Sequence, residues 1–145
     1  LMVPFGWRYL LTPERGNFET WKPLSDQQPE NGLETAQLIT VAFPSTIPKL
    51  TALVLKSHVE DRKAVLHDSA TVQMGGREAF VMFMTYTDPS DSSNWQSTVV
   101  LRTHGNRSFV FEGEAPNENA YRYSFSIFKH MGLSLLIDEE MLLTK

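Results

Sequence analysis

Residues 78–86, Glu-Ala-Phe-Val-Met-Phe-Met-Thr-Tyr, are apolar on both faces of an extended chain. Successive strand side chains point to opposite faces. Phe80, Met82, Met84 and Tyr86 therefore look one way, and Ala79, Val81, Phe83 and Thr85 the other. A strand with two apolar faces must be covered on both. The run before it, Val65 to Met74, is β-prone, with Val65, His67, Ser69 and Thr71 expected on one face. Between the two stands Gly75-Gly76, which supplies the positive φ of a tight hairpin turn. The pair predicts a buried hairpin with a layer packed above and below.

The flanking segments supply those layers. Ile47, Leu50, Leu53 and Val54 fall on one helical face, with Pro48 in the first turn and Ser45 or Thr46 as cap. A helix over Ile47 to Arg62 is expected, although Thr51 to Val59 also reads as a strand. His58, Glu60, Asp61, Arg62 and Lys63 form its solvated far end. A second helix starts near Pro116-Asn117-Glu118-Asn119 and runs to about Met131, with Tyr121, Phe125, Phe128 and Gly132 as a stripe. Leu133 to Ile137 is either its last turn or a final strand, and Asp138 to Lys145 a helical or frayed tail. Trp7 to Leu11 and Thr35 to Phe43 read as strands, Pro23 to Gly32 as a surface loop. Trp95 to Thr103 and Ser108 to Glu112 form a second hairpin across His104-Gly105-Asn106-Arg107. The order strand, strand, helix, hairpin, hairpin, helix is α+β: an antiparallel β-sheet sandwiched by helices.

Composition narrows the function classes. A chain of 145 residues with 41% hydrophobic and 21% charged side chains fits one domain, residues 1–145. The absence of cysteine excludes disulfides, thiolate metal sites and a cysteine nucleophile. The net charge of −4 argues against nucleic acid, whose backbone needs a basic face. No apolar run reaches the roughly 18 residues of a membrane span. Leu1 to Trp7 lacks the basic and apolar regions of a signal peptide. Two expectations follow. Either the chain starts at Met2 and is cytoplasmic, or it follows a removed export signal and is periplasmic or envelope-associated. In the second case a lipoprotein's anchoring cysteine would lie upstream.

The chemistry-bearing residues form no catalytic motif. His58, His67, His104 and His130 have no metal-ligand spacing, so no metal is assigned. His67-Asp68-Ser69 has the letters of a triad, but neighbouring strand residues diverge. Gly75-Gly76-Arg77 precedes a strand, where phosphate binding needs a helix N-terminus. Asp88, Asp91 and Asn94 lack the rest of a calcium loop, and Asp138, Glu139 and Glu140 read as solvated. Asn106-Arg107-Ser108 is a glycosylation sequon in an exposed turn. No catalytic residue and no cofactor is assigned. The loops Pro23 to Gly32 and Asp88 to Trp95 are the expected partner contacts, with Trp95, Trp21 and Asp91 as the binding residues. The alternative is a small ligand-binding protein or enzyme with a pocket on the sheet, where Trp95, His67, Arg102 and Glu112 line one face.

Several segments resemble a known family. Val72-Gln73-Met74 leads into Gly75-Gly76-Arg77-Glu78-Ala79-Phe80 after the Ile47 to Arg62 helix. Gln96 to Val100 and Phe109-Val110-Phe111-Glu112-Gly113 follow, then Tyr121 to Met131 before Gly132-Leu133-Ser134-Leu135. This order is similar to the PsbP-like fold family, which includes PsbP, Ran-binding Mog proteins, DcrB-like lipoproteins and secretion adaptors. The resemblance covers about Ile47 to Leu136, with Pro4-Phe5-Gly6-Trp7 as a loose match ahead of it and Pro23 to Gly32 as an insertion. It implies a sheet between helices and a non-enzymatic accessory protein of a bacterial envelope or secretion system. Such a protein acts through a protein partner, without nucleic acid or a membrane span.

Overall fold

The computed structural model describes residues 3–12, 17–41, 46–74, 77–104, 107–117 and 126–134. Its centre is a seven-stranded antiparallel sheet of order β1-β2-β3-β7-β6-β5-β4. The strands are β1 (Arg8–Thr12), β2 (Asn17–Trp21), β3 (Thr35–Val41), β4 (Val65–Met74), β5 (Arg77–Thr87), β6 (Asn94–His104) and β7 (Arg107–Pro116). Helix α1 (Ile47–Leu55) continues into a π-helical turn, Lys56–Asp61. A second helix, α2, is described over residues 126–134.

The two-faced strand β5 sets the layers. Met82 and Met84 on one face are fully buried with Val99 and Leu101 of β6 and Leu50 of α1. Ala79 and Val81 on the other pack with Val100, Phe111, Phe128 and Met131. Helix α1 therefore covers one face and α2 the opposite one, as the alternation requires. Thr46 caps α1 by accepting from the Lys49 amide at 3.3 Å, with Pro48 in the first turn. The expected Ser45 cap lies outside the described residues, as do Gly75-Gly76, Gly105-Asn106 with the sequon asparagine, Tyr121, Phe125 and the Asp138 to Lys145 tail. Residues 133–134 belong to α2, so the last-turn reading holds there. Among the described residues no helix is long and apolar enough to cross a membrane.

Three sequence expectations are corrected. Strand β2 was not foreseen: Asn17-Phe18-Glu19-Thr20-Trp21 is polar and short, and pairing with β1 and β3 makes it a strand. The β4 alternation breaks between Leu66 and Asp68, where a bulge shifts the register. Val65 pairs with Thr85, but Ser69 pairs with Met82 and Thr71 with Phe80. Val65 and His67 therefore lie on the α2 face, and Ser69 and Thr71 on the α1 face. The solvated end of the first helix also fails at one residue, His58, which is 4% exposed.

Gly113 of β7 and Phe128 of α2 fix how closely helix and sheet approach. A Cβ at Gly113 would stand 2.2 Å from Phe128 Cγ and 2.4 Å from Cδ1, so only glycine admits the ring. Phe128 is fully buried and meets Trp7 edge-on at 6.1 Å, which ties the segment before β1 to α2. Gly113→Ala should therefore overpack this seam and lower stability by about 1–3 kcal/mol. Urea unfolding of the variant measures it, and an unchanged midpoint would contradict the packing.

Candidate functional site

The alternation of β7 carries the site. On the α2 face it presents Phe111, Gly113 and Ala115; on the α1 face, Glu112 and Glu114. Two carboxylates two residues apart on a paired inner strand are costly unless answered. The answer comes from the end of α1. Leu50, Val54 and His58 recur every fourth residue, so the helical face that buries Leu50 also turns His58 inward. Arg62 follows four residues later, at the end of the π-helical turn. Such turns are rare and recur at functional sites. Lys63, at φ +57°, then redirects the chain, and the Ala64 amide donates to the His58 carbonyl at 2.9 Å.

The hydrogen bonds define the protonation of His58. Nδ1 lies 2.9 Å from the Val54 carbonyl oxygen, and Nε2 lies 2.7 Å from Glu112 Oε1. A carbonyl and a carboxylate only accept, so both ring nitrogens donate and the imidazole is cationic. Glu112 Oε1 also accepts from Ser97 Oγ at 3.2 Å and has Arg62 Nη1 at 3.7 Å. Arg62 Nη1 donates to Glu114 Oε1, and the Tyr86 hydroxyl donates to Glu114 Oε2 at 2.9 Å. The guanidinium also stands over the Tyr86 ring, 5.2 Å from its centroid. With both carboxylates ionised, two cations and two anions make a group without net charge.

Burial acts against every charge here, and the partners decide the outcome. Burial would lower the His58 pKa, but the Glu112 hydrogen bond and charge, with the Val54 carbonyl, raise it above 6.5. Burial would raise Glu112, but His58, Glu114 and Arg62 hold it at about 2. Glu114 is raised, by burial first and then by Glu112 beside it, with Arg62 opposing. Tyr86 is raised, by burial and then by the charge of Glu114. The adjacent carboxylates thus separate, one firmly ionised and the other holding its proton to higher pH. His58, Glu112 and Glu114 also have the donor set of a metal site, with ligand atoms within 4.8 Å of one another. A divalent ion there would have to displace Arg62 and the His58 Nε2 proton, so this group fits a cation poorly.

The group forms one end of an open cleft of about 650 Å³. Its floor is the α1 face of the β1–β2–β3 meander, with Leu10, Glu19, Trp21 and Gln37, and its far wall is the loop over residues 23–32. That loop is tied down: Trp21 Nε1 donates to the Pro29 carbonyl at 2.8 Å, and the Leu24 amide to the Asn31 carbonyl at 2.9 Å. Gly32 lets the strand return past Trp21, since a Cβ there would stand 2.2 Å from the Lys22 carbonyl oxygen. Leu10, Leu24 and Leu33, all largely exposed, line the cleft. A second hollow of about 580 Å³, with Arg8 and Tyr9, adjoins it along Leu10, Trp21 and Glu30.

Of the residues expected to bind a partner, Trp21 stands in this cleft, whereas Trp95 and Asp91 do not line it. Trp95 pairs with Tyr86 and Pro116 and donates from Nε1 to Ser93 Oγ at 2.8 Å. Ser93 in turn donates to Asp91 Oδ1, which lowers the Asp91 pKa. The alternative pocket set does not assemble. Arg102, paired with Phe109, lies on the α2 face with His67, which bonds Thr85 at 2.5 Å, while Trp95 and Glu112 lie on the α1 face. Glu112 is the one member inside the site. The missed residues, His58 and Glu114, had a signal: the four-residue helical recurrence and two acids on one face of an otherwise apolar strand.

The pH dependence follows from the directions. His58, being raised, contributes stability that is full below 6.5 and lost as pH rises through its folded value. Glu112, being lowered, contributes stability that is full above 4.5 and lost as pH falls towards about 2. The pair is at full strength between these two ordinary values. Glu112→Gln should cost about 3 kcal/mol near pH 5.5, because it strands a buried cation. The difference from the parent should shrink at alkaline pH. Urea unfolding of both at several pH values checks this, and a difference independent of pH would refute the ion pair.

No family model and no curated protein sequence matches the chain. Solved structures do. PA94 from Pseudomonas aeruginosa, a protein of unknown function, superposes with a TM-score of 0.59 at 9% identity, over 91% of this chain and 87% of that one. Cyanobacterial PsbP (CyanoP) from Synechocystis sp. PCC 6803 superposes with a TM-score of 0.58 at 13% identity, over 88% and 79%. A crystal structure from Bacteroides thetaiotaomicron VPI-5482 gives 0.49 at 11% identity over 84% of this chain, which spans only 40% of that longer one. The antiparallel sheet, helices on both of its faces and the match to CyanoP over most of both chains identify the fold: the chain has a PsbP-like α+β fold.

Proposed function

We propose that this protein is a non-enzymatic accessory module that works by holding a protein partner, and that the cleft beneath the 23–32 loop is its contact site. One observation carries the reading: Leu10, Leu24 and Leu33 are exposed and gather around Trp21 in one cleft. Apolar side chains gathered at the surface mark interaction sites, whereas scattered ones do not. The charged group at the cleft's end supports the same reading. Its donors and acceptors are spent on one another, which suits a fixed wall better than a reacting centre. A bacterial envelope or secretion system is the proposed setting, supported by the resemblance to DcrB-like lipoproteins and secretion adaptors. Trp21 is the central contact, with Trp95 and Asp91 as a separate contact through the β5–β6 loop. A small-molecule ligand in the same cleft is the second reading, favoured by its volume of about 650 Å³.

A photo-crosslinking residue at Leu24 or Leu33, introduced into the cells that make the protein, tests the proposal. A discrete protein adduct is expected from these positions and not from Ser69 on the far edge strand. Leu24→Asp with Leu33→Asp should weaken capture by about tenfold. The melting temperature should stay within about 2 °C, because both side chains are solvent-facing. Adducts from Ser69 instead, or capture indifferent to the double substitution, would move the contact site elsewhere.

A further inference from the structure

The cleft's walls specify the chemistry of an occupant. Among the described residues, four carboxylates, Glu19, Glu30, Glu112 and Glu114, line it against a single cation, Arg62. Glu112 and Glu114 are answered by His58, Arg62, Ser97 and Tyr86. Glu19 and Glu30 are not: both are exposed, and among the described residues neither has a hydrogen-bonding or ion-pair partner on another side chain. Glu19 sits opposite Leu10 in the β1–β2 register, two residues from Trp21 on the same face. Glu30 follows Pro29, whose carbonyl accepts from the Trp21 indole. Trp21 thus shares the cleft with two acids that have no side-chain partner, and with Leu10, Leu24 and Leu33. Arg8 stands opposite Trp21 in the β1–β2 register and lines the adjoining hollow with Glu30, yet among the described residues it forms no ion pair with either acid.

Such a surface selects against anionic and against purely apolar occupants. A carboxylate entering it would meet Glu19 and Glu30, and an aliphatic one would leave them desolvated and unpaired. A guanidinium or ammonium carried on an apolar stem satisfies both demands. Its head reaches the acids and the indole face, and its stem lies on the leucines. Resting on the reading of the cleft as the contact site, we propose that its occupant is an extended partner segment in which Arg or Lys alternates with apolar residues. The bound segment places a cationic side chain between Glu19 and Glu30, against Trp21. The His58–Glu112 and Arg62–Glu114 pairs remain intact as the end wall.

The test uses the full chain and three fluorescein-labelled dodecapeptides: alternating Arg and Leu, alternating Glu and Leu, and alternating Arg and Ser. Fluorescence anisotropy gives the affinities, and amide spectra of the nitrogen-15-labelled protein give the site. The Arg–Leu peptide should bind at least about tenfold more tightly than either of the others. It should shift the Trp21 indole N–H and the amides of Gly32 and Leu33. Glu19→Gln with Glu30→Gln should weaken it by about tenfold, with no change in melting temperature, and raised salt should weaken it further. Asp68→Asn, on the far edge strand, is the matched control and should change nothing. Equal binding of the Glu–Leu peptide, indifference to the double substitution, or shifts confined to other surfaces would overturn the proposal. Spermine moving the same signals with equal affinity would also overturn it, since a small cation would then suffice. A failure here is distinguishable from a failure of the contact site. If Leu24 and Leu33 still crosslink a protein, the site stands and its charge preference falls.

Discussion

The His58–Glu112 ion pair joins the helical layer to the middle of the sheet, and the geometry around it follows from having to make it. Strand β7 lies between β3 and β6, so Glu112 can be reached only from above. Helix α1 must therefore end with its inward face over β7, and His58 must present Nε2 downwards. The Val54 carbonyl secures that by occupying Nδ1. Arg62 completes the charge balance only because the π-helical turn carries it to Glu114 and onto Tyr86. Removing any one member would leave a buried charge unanswered, which costs more than the intact group contributes.

Much of the fold was legible because it rests on periodicity. The two apolar faces of residues 78–86 required a layer on each side, and α1 and α2 supply them. Thr46 and Pro48 marked a helix start that the hydrogen bonding bears out. What was not legible depends on partners distant in the chain. Strand β2 is too short and polar to declare itself and exists by pairing with β1 and β3. The His67 bulge inserts a residue whose effect on every later side chain shows only in the register. The burial of His58 was visible in part, in its spacing from Leu50 and Val54. Its meaning needed Glu112, fifty-four residues on. The pocket set with Arg102 and His67 failed for the same reason: β6 alternation and the β4 bulge place those two on the opposite face.

The sequence resemblance begins near Ile47, whereas most of the cleft precedes it. Leu10, Trp21, Leu24 and Leu33 belong to the β1–β2–β3 meander and its loop, while Glu112 and Glu114 belong to the shared core. The site thus joins the stretch that resembles the family in sequence to an N-terminal stretch that does not, although the structural match to CyanoP spans 88% of this chain. This is where differences among proteins of one fold are expected to reside. At about a tenth sequence identity, CyanoP and PA94 speak for the scaffold alone.

The β4 bulge also bears on what the sheet does at its border. Strand β4 spans ten residues with no lysine or proline, and among the described residues one side of its backbone faces no neighbouring strand. A straight border of that length would template the addition of foreign strands and, in the end, fibrils. The extra residue at His67 interrupts the repeat, bends the strand and brings the charge of Asp68 out of phase with any flat incoming chain. The irregularity that spoiled the alternation read from the sequence thereby divides the border into two short pieces, and helps keep a sheet-rich chain from polymerising.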